Sequence, residues 1–176
     1  MVFPPNLVPS DSCQPSRRDR IQIAEAIMDQ NNVASVLEDL IETCRDGKKG
    51  YEDAAHHVKR ADLKTYFFEQ ALERGRFAEE LQAELARHGK PDKKVSGSVS
   101  GALHRAWIDT KASLGGGDKT ILDSVEQGED NAKENYEKAL SVSLPADLSE
   151  TIRRQASSVL RAHDTVKNLR DTAAAA

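Results

Sequence analysis

The stretch "GKPDKKVSGSVSGALHRAWIDTKASLGGG", residues 89–117, decides how the rest of the chain can be arranged. It opens with a polar, glycine-containing linker and ends in three glycines. Between them, "ALHRAWIDTKASL" has the look of a short helix. On both sides the pattern changes to long amphipathic helices. Upstream, apolar positions recur three and four apart over residues 32–59 and again over residues 61–88; downstream they do so over 118–140 and 146–170. The joints near residues 60 and 141–145 are short, so each flanking pair must fold as an antiparallel hairpin. The central joint of nearly thirty residues can travel the full length of a bundle. The expected fold is therefore all-α: a four-helix bundle of two hairpins joined by a long crossover that carries a short helix.

Composition agrees. Of the 176 residues 31% are charged and only 5% aromatic, with 10 glycines and 6 prolines, which suits helices better than a sandwich or barrel. Residues 1–18 read as a flexible tail interrupted by Pro4, Pro5, Pro9 and Pro15, residues 19–171 as the bundle, and residues 172–176 as a frayed end. A separate short helix is expected over residues 18–30, punctuated by Asn31-Asn32, and a bend in the first long helix near Gly47 and Gly50. Asp62 and Asp118 are the expected N-caps of the second and third long helices.

The same totals exclude whole classes of function. A formal charge of −4 gives no general footprint for nucleic acid, and the basic pairs Arg17-Arg18 and Lys93-Lys94 are short. No apolar run approaches the roughly 18 residues of a membrane span, and the start lacks the order of a secretory signal, so the cytoplasm is the expected compartment. Cys13 and Cys44 form neither a disulfide framework nor a zinc site. Phosphate loops, nucleophile elbows and paired-glycine cofactor fingerprints do not occur.

The first and third long helices look like copies. "LEDLIETCRDGKKGYEDAA" (residues 37–55) aligns with "LDSVEQGEDNAKENYEKAL" (residues 122–140) at a constant offset of 85, matching Leu37 with Leu122 and Tyr51 with Tyr136. Duplication of one helical hairpin explains this, although two amphipathic helices also match by pattern alone. In this register Cys44 corresponds to Glu129, a carboxylate set in the apolar stripe of Leu122, Val125, Ala132 and Tyr136.

Glu129, Ala132 and Tyr136 carry the E-x-x-A-x-x-x-Y rhythm of a rubrerythrin-type helix, and here the chain resembles the ferritin-like superfamily, whose bundles have one long crossover. More closely, it resembles a small bacterial family of ferritin-like four-helix-bundle proteins. That likeness is carried by "DLIETCRDGKKGYEDAA", "SGALHRAWIDTKASL", "GED" and "RAHDTVKNLRD", in that order, across residues 33–171. It implies a fold and no settled activity, and loosely a setting in stress physiology. A di-iron bundle uses one Glu from each of two helices and Glu-x-x-His from each of the others. Measured against that pattern, the second helix offers Arg74 and Phe77, the fourth offers Leu160 before His163, and the first offers Cys44. Glu129 and His163 are what remains of the ligand set, and no standard di-iron centre is expected.

Two functional readings stay open. In the first, the bundle is non-enzymatic and works by assembly or interaction as a homo-oligomer. Glu129 is then a buried partner of Arg74, or of Tyr51, Tyr136 or Gln155, with Gln70 a further polar intruder in the second helix. In the second, the protein binds iron as an oxidoreductase or iron-handling protein through Glu129, His163 and either Glu42 or Glu126, the last two expected to be solvated in the first reading. His163 on its own is more often a core histidine, and Asp164, being adjacent, is expected to point elsewhere. Glu52 and His56, four apart, are expected to be a solvated pair. Trp107 is expected to pin the crossover against the bundle or a partner subunit, with His104 and Arg105 beside it as a weak anion site. No residue is assigned a catalytic role.

Overall fold

The computed structural model describes residues 16–88 and 117–174. The tail through residue 15 and the crossover residues 89–116, which include His104, Arg105 and Trp107, lie outside the described residues. The described chain forms four helices: α1 (Arg17–His57), α2 (Ala61–Arg87), α3 (Asp118–Leu140) and α4 (Ala146–Ala174). The expected bounds of α2 and α3 hold to within a residue, whereas α4 runs four residues beyond residue 170, to Ala174.

Contacts divide the chain into two units, residues 1–32 and 33–176. In the first, residues 17–32 are helical and belong to α1, so Asn31-Asn32 does not end a helix as expected. Asparagine is only a mild helix penalty, far from that of proline, and its backbone N–H remains available to the ladder. Helix α1 also continues through Gly47 and Gly50, since isolated glycines cost a helix about 1 kcal/mol each and tertiary packing outweighs that.

In the second unit the direction of each helix follows from its partners. Asn135 Nδ2 donates to Thr43 Oγ1 at 2.9 Å and Asp118 Oδ1 accepts from the Lys59 N–H at 2.8 Å, so α1 and α3 run antiparallel. Ser158 Oγ donates to Glu73 at 2.8 Å and Gln155 Nε2 to Glu80 at 2.7 Å, so α2 and α4 are antiparallel too. Along the α3–α4 hairpin, Tyr136 meets Gln155 and Asp130 meets His163. It follows that α1 runs with α4, and α2 with α3. Asp118 sits beside the start of α2, so the last described residue of α2 and the first of α3 lie at opposite ends of the bundle.

Neither expected N-cap takes that role. Arg60 is the N-cap of α2 and Gly117 that of α3, and neither uses a side-chain cap. Asp62 lies in the first turn of α2 and binds the Arg60 guanidinium at 3.1 and 2.5 Å. Asp118 instead receives the Lys59 and Arg60 N–H groups at 2.8 and 3.0 Å, tying the α1–α2 turn to the start of α3. Its carboxylate thus satisfies N–H groups of the turn between two other helices, in place of capping its own.

The buried apolar side chains form two clusters along the bundle. Leu37, Leu40, Ile41, Leu81, Leu85 and Ile152 anchor one; Leu63, Phe67, Ile121, Leu122 and Val166 anchor the other. The charged side chains of Arg74 and Glu129 belong to neither. Arg74 lies in sequence between Ala71 of one cluster and Phe77 of the other, and Glu129 between Val125 and Ala132. A charged pair thus crosses the waist between the two apolar clusters.

Candidate functional site: a buried ion pair at the waist

Arg74 is 1% exposed and Glu129 2%. Helix periodicity places both on inward stripes, and the parallel run of α2 and α3 brings them to one level. Arg74 Nη2 donates to both carboxylate oxygens, at 3.0 Å to Oε1 and 2.8 Å to Oε2. Its Nη1 lies 3.6 Å from Glu73, which is one-third exposed. The guanidinium carbon is 5.8 Å from the ring centroids of Tyr51 and of Phe77, so the cation is framed by two aromatic faces. Burial on its own would pull the Arg74 guanidinium down; the Glu129 charge more than offsets it and holds the group above its ordinary value. Gly47 on α1 leaves space here, since a Cβ there would lie 3.6 Å from the Arg74 stem.

A second polar chain starts from Cys44. Its Sγ lies 3.1 Å from Tyr136 Oη, which donates to Gln155 Oε1 at 2.8 Å. Gln155 passes the connection to Glu80, and Arg154 closes it at the surface by pairing with Glu80. Burial pushes the Cys44 thiol up to about 11, against the opposing pull of Tyr136 and Arg74. Burial likewise holds the Tyr136 and Tyr51 phenols well above their ordinary value, reinforced by the neighbouring Cys44 and Glu129 charges respectively. A protonated thiol is a poor nucleophile and a poor metal ligand.

The remaining candidates are spread apart. His163 is buried, with Nε2 3.1 Å from Asp130 and Nδ1 3.0 Å from Asp164. The short Asp164 side chain therefore reaches back to its neighbour, where adjacency had suggested divergence. Glu126 is 8% exposed and not solvated as expected, because Arg170 of α4 reaches over to pair with it. Glu42 is half-buried on α1, and partial burial, then Asp46 and Asp39, raise its carboxyl. Glu52 pairs with Lys48 at 3.8 Å, and the His56 ring stands edge-on to Phe68. Glu129, His163 and Glu126 thus each pair with a different neighbour, and Glu42 stands apart from them near Asp46 and Asp39. Among the described residues, no group of three or more His, Cys, Asp or Glu side chains is placed to hold a metal ion.

That distribution bears on the di-iron centre implied by the superfamily resemblance. Both oxygens of Glu129 are occupied by a guanidinium, and Cys44 is a protonated thiol bound to Tyr136. A cation placed at Glu129 would meet the fixed positive charge of Arg74. The residues present do not fit two irons.

Sequence reasoning missed Glu73, Glu80, Asp130, Ser158 and Arg170. The offset of 85 held the signal for two of them. Extended to α2 and α4, it pairs Gln70 with Gln155 and Glu73 with Ser158, and the latter two are in contact at 2.8 Å. No helix among the described residues is long and apolar enough to cross a membrane. Comparison with the curated proteins finds no match. A family model described as a domain of unknown function, DUF2383, matches residues 32–142, from the bundle part of α1 to just past the end of α3, and the chain belongs to that family.

Proposed function

We propose that the protein is a ferritin-like bundle in which an internal guanidinium takes the place of the metal cations, and that it works as a non-enzymatic, self-assembling or protein-binding module. The helix directions support the fold assignment: two antiparallel hairpins, with α2 and α3 parallel and their joined ends far apart, is the arrangement that one long crossover requires. The observation that carries the functional reading is the double contact of Arg74 Nη2 with Glu129. Glu129, the most deeply buried carboxylate among the described residues, is neutralised by a cation that cannot be removed by pH or chelation. Around it, Cys44, Tyr136, Gln155, His163 and Glu126 are each turned to a partner within the chain, which leaves the exterior of the bundle as the working surface.

Thermal melting with and without iron(II), under anaerobic conditions, tests the interior. A bound ligand at about 100 times its Kd adds about 2.7 kcal/mol. The expected result is an unchanged Tm; a rise that Glu129→Gln abolishes contradicts the reading. Light scattering tests assembly. The expected mass is a multiple of the 19.3 kDa chain, and a strict monomer that binds no protein partner contradicts it.

A further inference from the structure

The internal offset of 85 relates polar positions as well as apolar ones, and the two halves differ at the waist. Tyr136 and Gln155 bond directly at 2.8 Å. Their counterparts are Tyr51 (136 minus 85) and Gln70 (155 minus 85). Tyr51 Oη and Gln70 Oε1 are buried and have no hydrogen-bond partner. Burial and then the neighbouring Glu129 carboxylate, by its charge and as a hydrogen-bonding neighbour, raise the Tyr51 phenol, whose oxygen keeps its acceptor lone pairs free. The counterpart of Val159 is Arg74, which adds two more buried donors without a hydrogen bond, Nε and Nη1, the latter 3.6 Å from Glu73. The counterpart of Ala132 is Gly47, so a methyl group is missing beside the Arg74 stem; a Cβ built there would stand 3.9 Å from Nε.

We propose that Tyr51, Gln70 and Arg74 line an internal site for a single water molecule, which takes the place of the direct tyrosine–glutamine bond of the other half. Buried polar groups need partners, and these four atoms define the partner's chemistry. Arg74 Nε and Nη1 can only donate, Gln70 Oε1 can only accept, and Tyr51 Oη can do either. The occupant must therefore both accept and donate. It is neutral, because the charge of Arg74 is already balanced by Glu129 and a further buried ion would stand uncompensated. The space left by a missing methyl group sets its size, which is that of water.

Water-oxygen magnetic relaxation dispersion on the full-length protein, which counts long-lived internal waters, tests it. The wild type is compared with the double variant Tyr51→Phe/Gln70→Leu and with Tyr136→Phe, each shown to be folded by circular dichroism. The expected result is a loss of amplitude equal to one water in the double variant and none in Tyr136→Phe. Equal amplitudes in the wild type and the double variant overturn the proposal. So does a signal that formate or nitrate displaces while raising Tm, which assigns the site to an anion.

Discussion

Replacing Arg74 by methionine keeps most of the stem and deletes the charge. Glu129, 2% exposed, would lose the donor that contacts both its oxygens at 2.8 and 3.0 Å. Breaking a buried pair in this way costs about 3–5 kcal/mol, because the remaining ion is uncompensated. Loss of the cation over Tyr51 and Phe77 adds to this, at about 0.5–1 kcal/mol for each ring. For a chain of this size, about 2–4 °C of Tm is lost per kcal/mol, so the decrease should exceed about 6 °C. Urea unfolding followed by far-UV circular dichroism measures the free energy directly. Two controls separate ion pairing from packing. Acidification should shrink the loss, because the uncompensated carboxylate of the variant can take up a proton and shed its penalty. The double variant Arg74→Met/Glu129→Leu should recover most of it, since an apolar replacement of a buried pair is often neutral or better. A single-variant loss under about 1 kcal/mol, the range of a surface pair, would refute the reasoning. A double variant as unstable as the single one would refute it equally.

Four other outcomes are expected. In a Cys13→Ser background, the Cys44 thiol should resist Ellman's reagent at pH 8 in the native state and react on unfolding, since burial lifts it to about 11. The native state holds that proton where the unfolded chain releases it, so stability should fall as pH rises from 9.0 toward 11, by about 1.4 kcal/mol per pH unit; a pH-independent stability there contradicts this. Tyr136→Phe should cost about 1–3 kcal/mol in urea unfolding by stranding Gln155 Oε1, and a neutral effect would dismiss the polar chain as a stabilising element. Gly128→Ala and Gly50→Ala should each stabilise by about 1 kcal/mol, because both sites are helical and a Cβ meets nothing within 4 Å; a lowered Tm would show a hidden contact.

Helices α2 and α3 and the two hairpins were legible because period-3.6 stripes, Leu144-Pro145 and short joints are local signals. Arg74 and Glu129 stood out for the same reason: each breaks an apolar stripe. Sequence named Arg74 as one of four partners for Glu129 without choosing among them, and for other carboxylates it supplied no partner across the bundle. Glu126 reads as a stripe-edge, solvated carboxylate until Arg170, forty-four positions on (170 minus 126), reaches over it. Asp118 reads as a cap for its own helix until the α1–α2 turn is packed beside it. Asn31-Asn32 reads as a stop, yet the backbone of α1 runs on through it, because a mild local penalty does not decide a helix of 41 residues. The four-atom set at Tyr51, Gln70 and Arg74 needed both the duplication and the coordinates.

The most direct test of the central claim is the side-chain NMR spectrum of Arg74, assigned by comparison with Arg74→Met. A guanidinium held at both oxygens of Glu129 should show separate Nη1 and Nη2 signals, slow proton exchange and contacts to the Tyr51 and Phe77 rings, and Glu129→Gln should shift them. Averaged Nη signals in fast exchange with solvent, indifferent to Glu129→Gln, would contradict the account, because Arg74 would then not be the cation that closes the bundle interior.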